Sequence, residues 1–193
     1  MSKSDSSASK KERKKTIRWV VTIFLVTILI SGTISFASDI IMESSTMLVA
    51  FLILLTIVLI GIVFDIIGMA VASADEKPFH SMAARKVPGA QEAIKLLRNA
   101  ERVSSICNDV IGDICGVVSG SASATIAAQI LRDFSFGYSQ LISLALSALV
   151  AGLTVGGKAV GKTFAINSCT QIVHSVGKII WALGHLSDRN KKK

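Results

Sequence analysis

Residues 47–74 form an apolar run broken by a single charge, Asp65. At about 1.5 Å per residue, a helix of that length exceeds the ~30 Å hydrocarbon core of a bilayer. Lipid offers no partner to a bare N–H or C=O, so such a run must be helical, and the chain around it must be a membrane helical bundle. Composition agrees: of 193 residues 51 % are hydrophobic and only 18 % charged, with a mean hydropathy of +0.59, too apolar for an ordinary soluble domain. A net charge of +8 would suggest a nucleic-acid partner in a soluble protein. Here Lys and Arg cluster at the two ends and in one central loop, and aromatics are sparse, which fits the positive-inside rule and argues against nucleic acid. The expected fold is all-α, a polytopic membrane bundle with about four spanning segments and cytoplasmic interfacial helices.

Residues 1–15 read as a disordered basic tail ending in KKERKK, held against anionic headgroups on the cytoplasmic side. Residues 16–186 read as a single transmembrane helical domain. Its first span, 16–37, has the charge order of a secretory signal peptide, but its apolar run is long for a signal core and favours a retained anchor. The loop 38–46 holds Asp39 and Glu43 and no Lys or Arg, as an exterior loop should. The second span then ends inside, and Asp65 falls towards the cytoplasmic half of the membrane, or at its surface if the span stops at Phe64. Residues 75–103 carry both prolines and several Lys and Arg, and read as an interfacial helical hairpin. Residues 131–140 suit an exterior turn. The segment 141–155 is the last span, with Lys158 and Lys162 marking its cytoplasmic end, and 163–186 an amphipathic interfacial helix. A basic tail, 187–193, closes the chain, so both termini are expected in the cytoplasm of a multi-pass cell-membrane protein.

Residues 105–128, SICNDVIGDICGVVSGSASATIAA, form the stretch around which the chain is organised. Gly112, Gly116, Gly120, Ala124 and Ala128 recur every fourth residue, a small-residue stripe along which another backbone can approach, within or between protomers. Asp109 and Asp113 are also four apart and would project from one side of a helix. A carboxylate facing lipid costs several kcal/mol, so these groups are expected to turn into the bundle towards a cation, water or a basic partner. The alternative is a helix at the membrane edge whose acids reach the headgroups.

Residues 156–163, GGKAVGKT, satisfy the phosphate-loop pattern GxxxxGK[ST]. That loop needs a strand before it and an acidic strand beside it; residues 62–65 imitate the second but lie in the longest apolar run, so nucleotide binding is not expected. Cys107, Cys115 and Cys169 show no CxxC spacing and read as small hydrophobes. His80, His174 and His185 read as interfacial side chains. No nucleophilic or metal-ligand constellation of an enzyme is visible.

The run 83–113, AARKVPGAQEAIKLLRNAERVSSICNDVIGD, resembles the transmembrane domain of the CorB/CorC and cyclin-M (CNNM) magnesium transporters, without their CBS domains. In that family an Ala/Arg-rich helix, a Gly-Ala turn and a leucine-bearing helix lead into a membrane helix that opens with an Asn-containing motif. Residues 157–165, GKAVGKTFA, are similar to the family's Gly-Glu-x-x-Pro-Lys-Ser/Thr-x-Ala signature. The resemblance covers about residues 58–183, with 16–37 an added helix. It implies a divalent-cation (Mg²⁺ or Co²⁺) transporter, with Asp65, Asn108, Asp109 and Asp113 as an oxygen-rich site suited to Mg²⁺ or another hard cation. Two departures stand out: Asp109 replaces the second motif position, and Lys158 falls where the family has its cation-binding Glu.

Two function classes follow. One is an ion transporter, dimeric through its glycine stripes. The other is a non-transporting membrane scaffold or regulator whose buried acids pair with Lys158.

Overall fold

The computed structural model describes residues 3–43, 45–133 and 139–190. Every regular element among them is helical: α1 (Lys3–Glu43), α2 (Met47–Ser73), α3 (Lys77–Ala84), α4 (Ala90–Arg98), α5 (Ala100–Ser105), a π-helical stretch (Ile106–Gly112), α6 (Asp113–Asp133), α7 (Ser139–Asn167) and α8 (Cys169–Asn190). Four stretches are long and apolar enough to cross a membrane: Ile17–Met42, Met47–Ser73, Ala100–Arg132 and Ser143–Asn167. The chain is thus an all-α polytopic membrane bundle. With four crossings, the start of α1, the α3–α5 hairpin and α8 fall on one side. Two contacts tie that side together: the Arg102 guanidinium lies 5.7 Å above the Trp19 ring, and His174 Nε2 lies 3.2 Å from Pro88 O.

α2 is the central post, packing on α6, α7, α8 and the π-helical stretch. One apolar cluster joins Met42, Ala50, Leu54 and Val58 to Ala122, Ile126 and Val150 at the far end of the bundle. A second joins Ala70 and Val71 of α2 to Phe79, Ala93, Leu97, Ala165 and Val173 at the hairpin end. Between their buried residues α2 carries Asp65, flanked by Ile62 packed on the first cluster and Ile66 on the second. Outside both clusters, α1, α2 and α7 present large apolar side chains such as Phe24, Leu48 and Leu153, as lipid-facing helices do.

Three boundaries differ from the sequence reading. The basic arm is helical from Lys3, where Lys, Glu and Ala propagate the helix already nucleated by the apolar span. α7 does not stop at the glycines but runs through residues 156–163 to Asn167, and the last helix starts at Cys169 rather than at residue 163. Lys158 therefore lies inside the span and not at its end. Glycine costs a helix about 1 kcal/mol each, but here Gly157 and Gly161 let Ile62 and Ile66 of α2 seat against the α7 backbone, and that packing offsets the cost. The same segment being helical also removes the loop that phosphate cradling would need. The exterior turn expected at 131–140 falls partly on 134–138, outside the described residues.

The hairpin is fixed by a backbone detail. Lys86 (φ 57°) and Gly89 (φ 85°) both take left-handed conformations, turning the chain between α3 and α4. Gly177 of α8 faces that turn: a Cβ there would lie 2.5 Å from Gly89 O and 3.0 Å from Ala93 N. α8 thus rests backbone to backbone on the start of α4.

Candidate cation site in the bundle

Asp65 sits eight residues before the end of α2, about 12 Å along the axis from it. It is 5 % exposed, the most chemically costly residue in the apolar gap between the two clusters. Lys158 reaches it from α7: its Nζ stands 3.7 Å from Asp65 Oδ1 and donates to Gly112 O at 3.4 Å. Gly112 makes that reach possible, since a Cβ at this position would sit 3.2 Å from the ammonium.

The π-helical winding beside it decides which side chains face inwards. Its i→i+5 bonding widens the turn, but positions four apart still share a face, so Asp109 and Asp113 stay together on one side. Asn108 turns towards Gly68, one turn beyond Asp65 on α2, whose missing side chain leaves room for the amide. Its Nδ2 donates to Ser104 Oγ at 3.3 Å. Asp109 and Asp113, expected in the interior, are both exposed within the chain. Asp109 accepts a hydrogen bond from Ser105 Oγ at 2.7 Å.

Two buried oxygens are left without a donor, Asp65 Oδ2 and Asn108 Oδ1. Both accept and neither can donate while the carboxyl is ionised, and leaving such an atom bare in an apolar setting costs about 1–3 kcal/mol. Asp65 Oδ2, Asn108 Oδ1 beside Gly68 one turn along α2, and Gly112 O are carboxylate, amide and carbonyl oxygens, the ligand chemistry of hard cations. The set is small: among the described residues no group of three or more His, Cys, Asp or Glu could hold a metal, so Asp65, Asp109 and Asp113 do not converge. Water would have to complete the shell of a Mg²⁺ ion, which keeps several waters readily.

Of the predicted residues, the structure thus brings together Asp65, Lys158 and Gly112, with Asn108 seated against Gly68 one turn along α2. It leaves Asp109 and Asp113 on the outer side of their helix, and Gly116 and Gly120 with no atom of a neighbouring helix within 4 Å of a Cβ placed there. Sequence reading missed Gly68 and Ser104. The spacing of Gly61, Asp65 and Gly68 along α2 is the signal that could have found the first, since it puts both glycines on the face that carries the charge. Comparison with protein-family models, curated proteins and solved structures gave no match for this chain.

Proposed function

We propose that this protein is a multi-pass cell-membrane transporter of hard cations, of the CorB and cyclin-M kind, in which Lys158 serves as a resident cation that an incoming ion must displace. The observation that carries this reading is the pair of donor-less buried oxygens, Asp65 Oδ2 and Asn108 Oδ1, at membrane depth. Both are acceptor oxygens, and a cation is a partner that suits their chemistry. Lys158 neutralises Asp65 between transport events through the opposite carboxylate oxygen, Oδ1. The hairpin, with Lys77, Arg85, Lys86, Lys95, Arg98 and Arg102, faces the cytoplasm together with both termini. The bundle pairs as a homodimer, and Asp109 and Asp113 lie on surface that a second copy or headgroups can approach.

A second reading is favoured by one contact. Lys158 stands beside Asp65 where the family has a carboxylate, so the pair could be permanent and the bundle a non-transporting scaffold or regulator. Flux of Mg²⁺, Co²⁺ and Na⁺ into liposomes carrying the purified protein separates the two. The transporter reading expects flux that Asp65→Asn abolishes, weak Mg²⁺ binding by calorimetry in the parent, and tighter binding in Lys158→Glu. Absence of flux in the parent and in Lys158→Glu alike would overturn it in favour of the scaffold. Orientation is checked separately: in a cysteine-free background, a thiol at Thr46 should react with an impermeant reagent from outside and one at Lys77 should not.

A further inference from the structure

α8 carries an inward stripe made of Val173, Gly177, Ile180, Trp181 and Gly184, at steps of three and four. Its first half is closed by protein: Val173 is fully buried, and Gly177 lies on the backbone of Gly89. Its second half stands off from the hairpin across an open space. There Ile180, Trp181 and Gly184 form one wall of a cavity of about 740 Å³, whose opposite wall is the α3–α4 turn, α4 and Val103 of α5. No neighbouring atom lies within 4 Å of a Cβ placed on Gly184.

The opposite wall brings charge. Lys86, in the left-handed turn before α4, and Lys95, on α4, both line the cavity, and neither has an ion-pair partner among the described residues. Glu92 lines it too, leaving the three groups a net charge of +1. The apolar wall opens towards Ile179 and Leu183, which are 60 % and 62 % exposed on the flank of α8. A site with a cationic mouth, an apolar wall continuous with lipid-facing residues and an interfacial tryptophan matches an amphiphile of single negative charge.

We propose that this cavity seats the headgroup and upper acyl region of one anionic phospholipid, its phosphate on Lys86 and Lys95 and its chains along Ile180 and Trp181. The bound lipid would complete the wall that α8 lacks and fasten α8 to the hairpin that leads into the π-helical stretch. Glu92, unpaired beside Lys95, is placed to accept hydrogen bonds from headgroup hydroxyls, which favours a glycerol-type headgroup over choline.

Native mass spectrometry of the full chain, titrated with phosphatidylglycerol or phosphatidylcholine in detergent, tests this. One phosphatidylglycerol per protomer is expected to bind saturably and in preference to phosphatidylcholine. The Lys86→Gln/Lys95→Gln double variant should weaken it by roughly tenfold or more, since each lysine near a membrane surface contributes a factor of about five. Lys77→Gln/Arg98→Gln removes the same charge from the same side but outside the cavity, and should leave binding within about twofold. Gly184→Leu fills open space without touching the fold, and should abolish binding while thermal unfolding stays unchanged. Equal loss in both charge variants would reduce the effect to general surface attraction and overturn the proposal, as would full displacement by inorganic phosphate or undiminished binding in Gly184→Leu.

Discussion

Around Asp65 the helices meet through glycines. Gly61 of α2 receives Cys115, Gly68 receives Asn108, and Gly157 and Gly161 of α7 receive Ile62 and Ile66. Farther along α6, Gly116 and Gly120 repeat the same four-residue spacing, yet neither is approached, and they line an open groove of about 300 Å³ with Ser119, Ser123 and Ala151. The spacing is common to both regions; what differs is the facing helix. α2 offers Ile62 and Ile66, which reach into the glycine gaps, whereas α7 lines the groove with Ser147, Val150, Ala151, Thr154 and Val155, none of which reaches Gly116 or Gly120. A glycine stripe permits close approach, and the partner's volume decides whether it happens.

The largest expected effect strikes the closed region at its charge. Lys158→Met leaves Asp65 without its counter-ion in an apolar gap, and breaking a buried pair in this way costs about 3–5 kcal/mol. The lower end applies, because the pair is 3.7 Å apart and the Lys158 side chain is 22 % exposed. Removing both charges, as Asp65→Leu/Lys158→Met, should return most of the loss. Thermal unfolding in detergent reads both; a Lys158→Met protein as stable as the parent would mean that the contact contributes nothing.

Next comes the glycine beside it. In Gly68→Ala the new methyl would sit 2.9 Å from Cys107 Cβ and collide with the Asn108 amide, so backbone or amide must shift, at a cost of about 1–3 kcal/mol. Truncating the obstacle as well, in Gly68→Ala/Asn108→Ala, should recover part of that stability. No recovery would show that Cys107 and the backbone, not the amide, set the limit.

Much of the fold was legible because lipid leaves few choices. Runs such as 47–74 can only be helices, and the two prolines with the basic cluster marked the hairpin before α3 and α4 were seen. The site was legible in its charges and less so in its geometry. Asp65 and Lys158 announce themselves as charges in apolar surroundings. Asp109 and Asp113 misled in direction only: their four-residue spacing keeps them on one side of the helix, but that side is the exposed one, and Cys107, Gly112 and Ile114 turn inwards instead. Gly156 to Gly161 misled at a boundary: glycine weakens an isolated helix, and only the packing of Ile62 and Ile66 keeps α7 continuous through it.

The smallest effect is expected in the open region, and it sharpens the comparison most. Gly116→Leu adds four carbons, the first of which meets nothing within 4 Å and the rest of which enter an open groove, so the protomer's own stability should change by no more than about 0.5 kcal/mol. The same substitution at a site of contact between copies would hold two backbones apart and forfeit their dispersion contacts. Protomer stability and assembly can therefore move independently. Unfolding measured at dilutions where the parent is monomeric should match the parent, while sedimentation in detergent should show the dimer weakened if the groove along Gly116 and Gly120 is the surface through which copies pair. A variant that keeps both its stability and its assembly would put lipid in that groove. One that loses protomer stability would mean that α6 and α7 close on each other in the membrane, and the two glycine regions would then be alike after all.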